Sequence, residues 1–357
     1  MIFKRLTLYV CKTVIATTVM IVVALSAIFM IFSYLSEAGD IGQGQYNALS
    51  AFIYVLYQVP YNLYLIMPVC GLIGSLMGLG LLANNSELIV MRATGQSTLK
   101  IGSGVILAGV IIGVLTFLVG GYWVPATQKQ GAIYKTTQTQ KHASLSVYDA
   151  KSLWLHQKNR FIFIGDTTQA GGKVANLKRY TVKNNQLTQV ASAKQAHYQN
   201  DDQWKLKDVN VLTLDTEPLA QQYYPTMDMD HLLPPDILNI TQLNQRYLNF
   251  NQLATYMWTT QQHDAAVSLK FWQTIFQPLS LIILMLMAVP FSLGSTRSSA
   301  VGFKLIIGAL LGFAFYLINQ IFAPVSLIYH LPPLLGASIP IIIFLIILVL
   351  LFWKLRE

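Results

Sequence analysis

Six long apolar stretches in one chain leave little choice of solvent. They fall at about 13–35, 51–83, 99–124, 268–292, 301–323 and 334–353, each with at most one ionised side chain. A run of ~20 such residues is long enough to cross a hydrocarbon layer of about 30 Å as a helix. The composition agrees: of 357 residues, 54% are hydrophobic and only 11% charged, far from a soluble enzyme. The first 12 residues, with Lys4, Arg5 and Lys12, look like the start of a signal peptide. The run from Thr13 to Leu35 is too long for that and lacks a small-residue cleavage site, so it is read as a retained first span. The second stretch exceeds what a bilayer needs. Its outer part, with Pro60, Asn62 and Pro68, is expected to lie along the interface or to kink before crossing.

The net charge of +9 gains meaning once it is divided by side. The N-terminus, the loop with Arg92 and Lys100, the loop with Arg297 and Lys304, and the C-terminal Lys354 and Arg356 alternate with loops at 36–50 and 324–333 that hold no Lys or Arg. The positive-inside rule therefore makes both termini cytoplasmic. Residues 125–267 are left outside the cytoplasm as one polar domain of about 140 residues. Both cysteines, Cys11 and Cys70, lie in or beside apolar runs, so no disulfide framework is expected.

That polar segment reads as strands. Leu153 to Leu155, Phe161 to Ile164, Lys178 to Val182 and Trp204 to Leu214 are rich in aromatic or branched residues, with turn signals at Asn184-Asn185 and Asn200 to Asp202. Repeated hairpins without helix-length patterns imply a β-sandwich, jelly roll or open barrel. Pro234-Pro235 closes the strand region, and Leu248 to Gln262 gives a short helical lead back to the membrane. The expected domains are 1–124 with three spans, 125–267 with the strands, and 268–357 with three more spans.

Between the second and third spans, NNSELIVMRATGQS (84–97) has its own start and stop. Ser86 or Asn85 is placed to cap a helix, Glu87 to sit at its positive end, and Gly95 to end it in a left-handed conformation. The segment 86–95 is too short to span, so it is read as a surface helix clamped between two spans. It presents Leu88, Val90, Met91 and Arg92 to a partner that pushes on it, or else is a helical loop without further role.

Several chemistries are missing. Gly171-Gly172-Lys173 is not a phosphate loop, because Thr167 stands at the first glycine position and Val174 at the Ser/Thr position. The six histidines are scattered without metal-ligand spacing, and no Gly-x-Ser-x-Gly elbow occurs. The spans carry essentially no carboxylates, which argues against an ion-coupled carrier. No catalytic residue, metal site or nucleic-acid partner is expected, and energy would enter from a partner. Gly74 and Gly78, and again Gly308 and Gly312, are four apart. Such pairs either pack the chain's own helices together or form a seam with a partner helix.

Four segments in order, GQGQYNAL (42–49), GLGLLANNSELIVMRATG (78–95), WQTIFQPLSLIILMLMA (272–288) and FYLINQIFAPVSLIYHLPPLLGA (315–337), resemble the LptF/LptG permease family of the lipopolysaccharide export ABC transporter. The resemblance spans nearly the whole chain. It implies an α-helical membrane protein with six transmembrane helices plus an all-β, jellyroll-like periplasmic domain inserted between helices 3 and 4, in the bacterial inner membrane. It further implies a heterodimer of LptF-type and LptG-type subunits, two copies of the ATPase LptB holding ATP and Mg, and LptC. Such a complex extracts lipopolysaccharide from the outer leaflet and passes it to a periplasmic bridge. Residues Ser86, Glu87, Leu88, Val90, Met91, Arg92 and Gly95 then match the coupling helix. Lipid A is broad, apolar and anionic, so a cavity for it would draw on Ile28, Phe32, Phe313, Tyr316, Leu317 and Ile321. Where the family commonly carries lysines at the outer end of the first span, this chain has Ser33, Glu37, Gly39 and Asp40. The positive charge would come from the partner, from Lys270, or from a divalent ion bridging the acids to phosphate. Two other functions fit the same architecture: a mechanical transmitter that passes no lipid, and an anchored β-domain receptor without an ATPase.

Overall fold

The computed structural model describes residues 2–95, 97–139, 153–157, 160–166, 173–183, 186–198, 203–214, 220–230, 245–259, 264–293 and 301–354. They divide into two compact units, Met1–Lys141 with Gln245–Glu357, and His142–Asn244. The first unit is helical: α1 (Ile2–Glu37), α2 (Ala48–Asn84), α3 (Glu87–Ala93), α4 (Thr98–Leu118), α5 (Val124–Thr139), α6 (Phe250–Thr259), α7 (Ala265–Leu293), α8 (Val301–Ile328) and α9 (Pro333–Lys354). Six of its helical stretches are long and apolar enough to cross a membrane.

The third of these does not stop where the apolar run does. α4 passes through a π-helical turn, Val119–Trp123, straight into α5. The segment 125–267, expected as one outside domain, is therefore divided. α5 and α6 pack with the helical unit, and the strand-bearing unit is the narrower His142–Asn244. α2 is one unbroken helix with Pro60 and Pro68 inside it. Pro68 has no N–H to offer the Tyr64 carbonyl four residues back. Gln277 of α7 supplies the missing donor, its Nε2 lying 3.1 Å from that oxygen.

α2 is the hub. Its most apolar window is 67% buried within the chain, against 17% for α1 and for α8. Leu72, Leu76 and Leu79 meet Val105 and Ala108 of α4 and Leu281, Leu284 and Met285 of α7 in one cluster. In lipid such packing is held by dispersion and shape rather than by exclusion of water. The glycine pairs serve it directly. A Cβ on Gly74 would collide with Thr18 of α1, and one on Gly78 with Thr17. The close approach also lets Thr17 Oγ1 donate to the Gly74 carbonyl at 2.7 Å. Gly308 and Gly312 of α8 are occupied likewise by Leu76 and Val69 of α2. Both pairs are internal seams, and the alternative of a seam with a partner helix falls away.

The second unit is a single antiparallel sheet of β1 (Leu153–Gln157), β2 (Arg160–Asp166), β3 (Lys173–Lys183), β4 (Gln186–Tyr198), β5 (Gln203–Thr213) and β6 (Ala220–Asp230), in that spatial order. Neighbours in sequence are neighbours in space, so among the described residues the all-β domain is a meander without the crossover of a Greek key. One face is closed by Ile162, Ile164, Leu177, Ala193, Trp204 and Val209. Asn176 (φ +55) and Asp208 (φ +53) sit where the inward alternation skips a residue, from Val174 to Leu177 and from Leu206 to Val209. The strands bend there while the inner face stays continuous. Lys173 and Val174 open β3, whereas Gly171-Gly172 and the turn signals at 184–185, 200–202 and 234–235 lie outside the described residues.

Candidate functional site

α3 is a helix of only 7 residues, anchored at both ends by backbone that departs from the helix. Ser86 does this with its own backbone, at φ +61, and makes no side-chain cap, contrary to expectation; its carbonyl accepts from Val90 N at 3.1 Å. Asn85 Nδ2 instead reaches Glu87 Oε1 at 3.4 Å, and the Tyr9 hydroxyl of α1 faces the same carboxylate. At the other end Gly95 takes φ +83 and donates to the Arg92 carbonyl at 3.0 Å. Nothing lies within 4 Å of the Cβ position there, so the glycine answers a need of backbone, not of space.

The two faces of α3 differ from the sequence reading. Leu88 and Met91, expected on the presented face, are 3% and 6% exposed and join the core cluster with Val10 of α1 and Ile101 of α4. The free face carries Val90 (60% exposed), Arg92 and a residue the sequence reading passed over, Ile89 (66% exposed). Glu87 is half-buried at its edge. Leu88 and Met91 thus bolt α3 to three membrane helices, and Ile89, Val90 and Arg92 are left on a bare face.

The cavity candidates divide into two groups. Ile28 and Phe32 on α1, and Phe313, Leu317 and Ile321 on α8, are exposed at intervals of four and form one stripe on each helix. α1 and α8 both pack on α2, so the stripes flank it. Ser33 is taken up by Asn62, whose Nδ2 lies 3.2 Å away. Glu37 is buried and faces inward. Its Oε2 lies 2.7 Å from Lys135 Nζ of α5 and receives the Tyr46 hydroxyl at 2.9 Å. The same ammonium is 2.7 Å from Asp40 Oδ2 and stands over the Tyr54 ring at 4.9 Å. Burial, and then the bond to Glu37, push the Tyr46 hydroxyl above the ordinary phenol range. The two acids already share a cation, which weighs against their bridging a divalent ion to phosphate.

Lys270 remains. It is half-buried near the start of α7 with its Nζ 5.6 Å from the centre of the Tyr64 ring, within reach of a cation–π contact. Arg246, on the short turn Gln245–Tyr247 ahead of α6, lies close enough to act electrostatically on both Lys270 and Tyr61, and half-buried Tyr316 acts on Tyr61 as well. Two cations and three phenols, Tyr61, Tyr64 and Tyr316, thus share a neighbourhood that adjoins the α8 stripe. Sequence reasoning missed Arg246 and Lys135 because both lie outside the apolar runs that guided it.

The family model described as "Lipopolysaccharide export system permease LptF/LptG" matches residues 8–354. The chain is 30% identical over 347 residues to the lipopolysaccharide export system permease protein LptG of Escherichia coli K12, covering 95% of both chains. It is 29% identical over 349 residues to the protein of the same name from Haemophilus influenzae, covering 95% of this chain and 96% of that one. The relatives matched carry the LptG name. By sequence match along its length and by its six apolar helices with an inserted antiparallel sheet, the chain belongs to the LptF/LptG family of lipopolysaccharide export permeases.

Proposed function

We propose that the chain is the LptG-type half of a permease heterodimer whose other half is of the LptF type. Two LptB ATPase subunits hold ATP and Mg beneath it, and LptC adds a further helix and β domain. The complex lifts lipopolysaccharide from the outer leaflet of the inner membrane toward a periplasmic bridge. Both termini and α3 then lie in the cytoplasm and the sheet unit in the periplasm, the orientation that the distribution of Lys and Arg supports. The observation that carries this reading is α3, with one face sunk among α1, α2 and α4 and the other, Ile89-Val90-Arg92, left bare. A push on so short and well-anchored an element is passed to the bundle rather than absorbed. Lipid A would be met by the stripes of α1 and α8, with Lys270 and Arg246 at the level of its phosphates.

Glu87→Arg reverses the charge at the edge of the gripped face without touching the core. The expected result is loss of the co-purifying ATPase and of export with membrane insertion intact. A stoichiometric ATPase and normal export in that variant would remove the coupling role.

A further inference from the structure

The closed face of the sheet carries an ionised side chain. Arg179 of β3 lies on that face next to Leu177 and is only 8% exposed. Its Nε has no hydrogen-bond partner, one terminal nitrogen lies 3.4 Å from Gln189 Oε1, and the charge acting on it is that of Arg160, of like sign. Among the described residues no carboxylate stands within ion-pair distance of it. A guanidinium withdrawn from water beside a second cation is strongly unfavourable unless an anion joins it. Burial, and then Arg160, accordingly hold the Arg179 guanidinium below its ordinary value.

The register shows what surrounds it. Arg179 pairs with Ile162 on β2 and Ala191 on β4. The next row on the same face is Arg160, Thr181, Gln189 and Thr213, one residue from each of four consecutive strands. That row offers a second guanidinium, two hydroxyls and an amide, and it closes the end of the sheet opposite to where β1 begins and β6 ends. We propose that Arg179 and Arg160, with Thr181 and Gln189, form an anion site for a phosphate group. Two guanidiniums match the double charge of a phosphate monoester better than the single charge of a carboxylate, and their planar forks take its oxygens in pairs. The phosphate is that of a glycolipid headgroup or is free phosphate. The first source rests on the export function proposed above; the second does not.

The test uses the full-length chain in its purified complex in nanodiscs, with a photoreactive residue at exposed Leu187, near that end of the sheet but not in the row. One arm offers bisphosphorylated lipid A and the same lipid with its phosphates removed. The other offers inorganic phosphate and reads thermal unfolding. We expect crosslinking to the phosphorylated lipid only, roughly tenfold weaker in Arg179→Gln, and a phosphate-induced rise in unfolding temperature that the variant lacks. Arg160→Gln, at an exposed position, should weaken both signals without disturbing the closed face. A thermal shift without a crosslink keeps the site and assigns it to free phosphate. Neither signal, with Arg179→Gln simply more stable than the parent, overturns the proposal. The ATPase retained in each sample is measured alongside, so a failure of the coupling role is seen separately.

Discussion

Lys135 is the residue on which the C-terminal end of α1 depends. Its ammonium joins two carboxylates of the segment that leaves the membrane, and with side-chain exposures of 27% for Lys135 and 11% for Glu37 the pair is largely out of water. Lys135→Met strands a buried carboxylate and should cost roughly 3 kcal/mol. Lys135→Met combined with Glu37→Leu should cost clearly less than the two single changes added, as thermal inactivation in detergent would show. Lys270→Glu inverts the one cation that the sequence offered for lipid A phosphates, and photocrosslinking of lipopolysaccharide at that level should fall; unchanged crosslinking would remove Lys270 from the site. Position in the sequence announced Lys270, a lone charge in an apolar run. It could not announce Lys135, which is 98 residues from the acid it neutralises. Ser86 shows the same limit in miniature: its place ahead of a helix was legible, but not that its backbone rather than its hydroxyl makes the corner.

At the level of the helix and the strand, period decided what could be read. Leu88 and Met91 are three apart and share the buried side of α3, while Ile89 and Val90 between them point away. Leu88→Asp should therefore prevent stable folding, by several kcal/mol for an unpaired buried charge. Ile89→Asp should leave the membrane fold intact and abolish ATPase co-purification. Equal losses of folded protein in both would contradict this division of faces. Strands β1, β2, β3 and β5 were visible in their branched and aromatic residues, whereas β4 and β6 were not. β4 turns Ala191, Ala193 and Ala196 inward, and β6 is polar and carries Pro225, so neither has the composition that marks a strand. Their places are fixed by the ladders of their neighbours. α5 escaped notice for the converse reason, being too polar to look like part of a span yet continuous with one.

Across the whole chain, three helices, a sheet and three helices follow from hydropathy and charge alone, because a bilayer admits so few backbones. Hydropathy could not say which sides of those helices the chain keeps for itself. The lightly buried α1 and α8 leave their stripes bare on either side of α2, and bare apolar helix faces are met by lipid or by another subunit. Cysteines at Phe32 and Phe313 should accordingly crosslink to a different chain or to lipid in native membranes; crosslinking only to each other within this chain would show the stripes to be self-covered. One feature of the third long helix sets the limits of such rearrangement. The π-turn at Val119–Trp123 holds one residue more than an α-turn, and each residue turns a helix by about 100°. The compass bearing of everything beyond it, Lys135 included, is therefore dialled by that surplus residue. Were the turn to relax to a regular helix during a transport stroke, its own backbone hydrogen bonds would shift from the fifth to the fourth residue back, the ammonium would swing away from Glu37 and Asp40, and the first helix would be unmoored at its far tip.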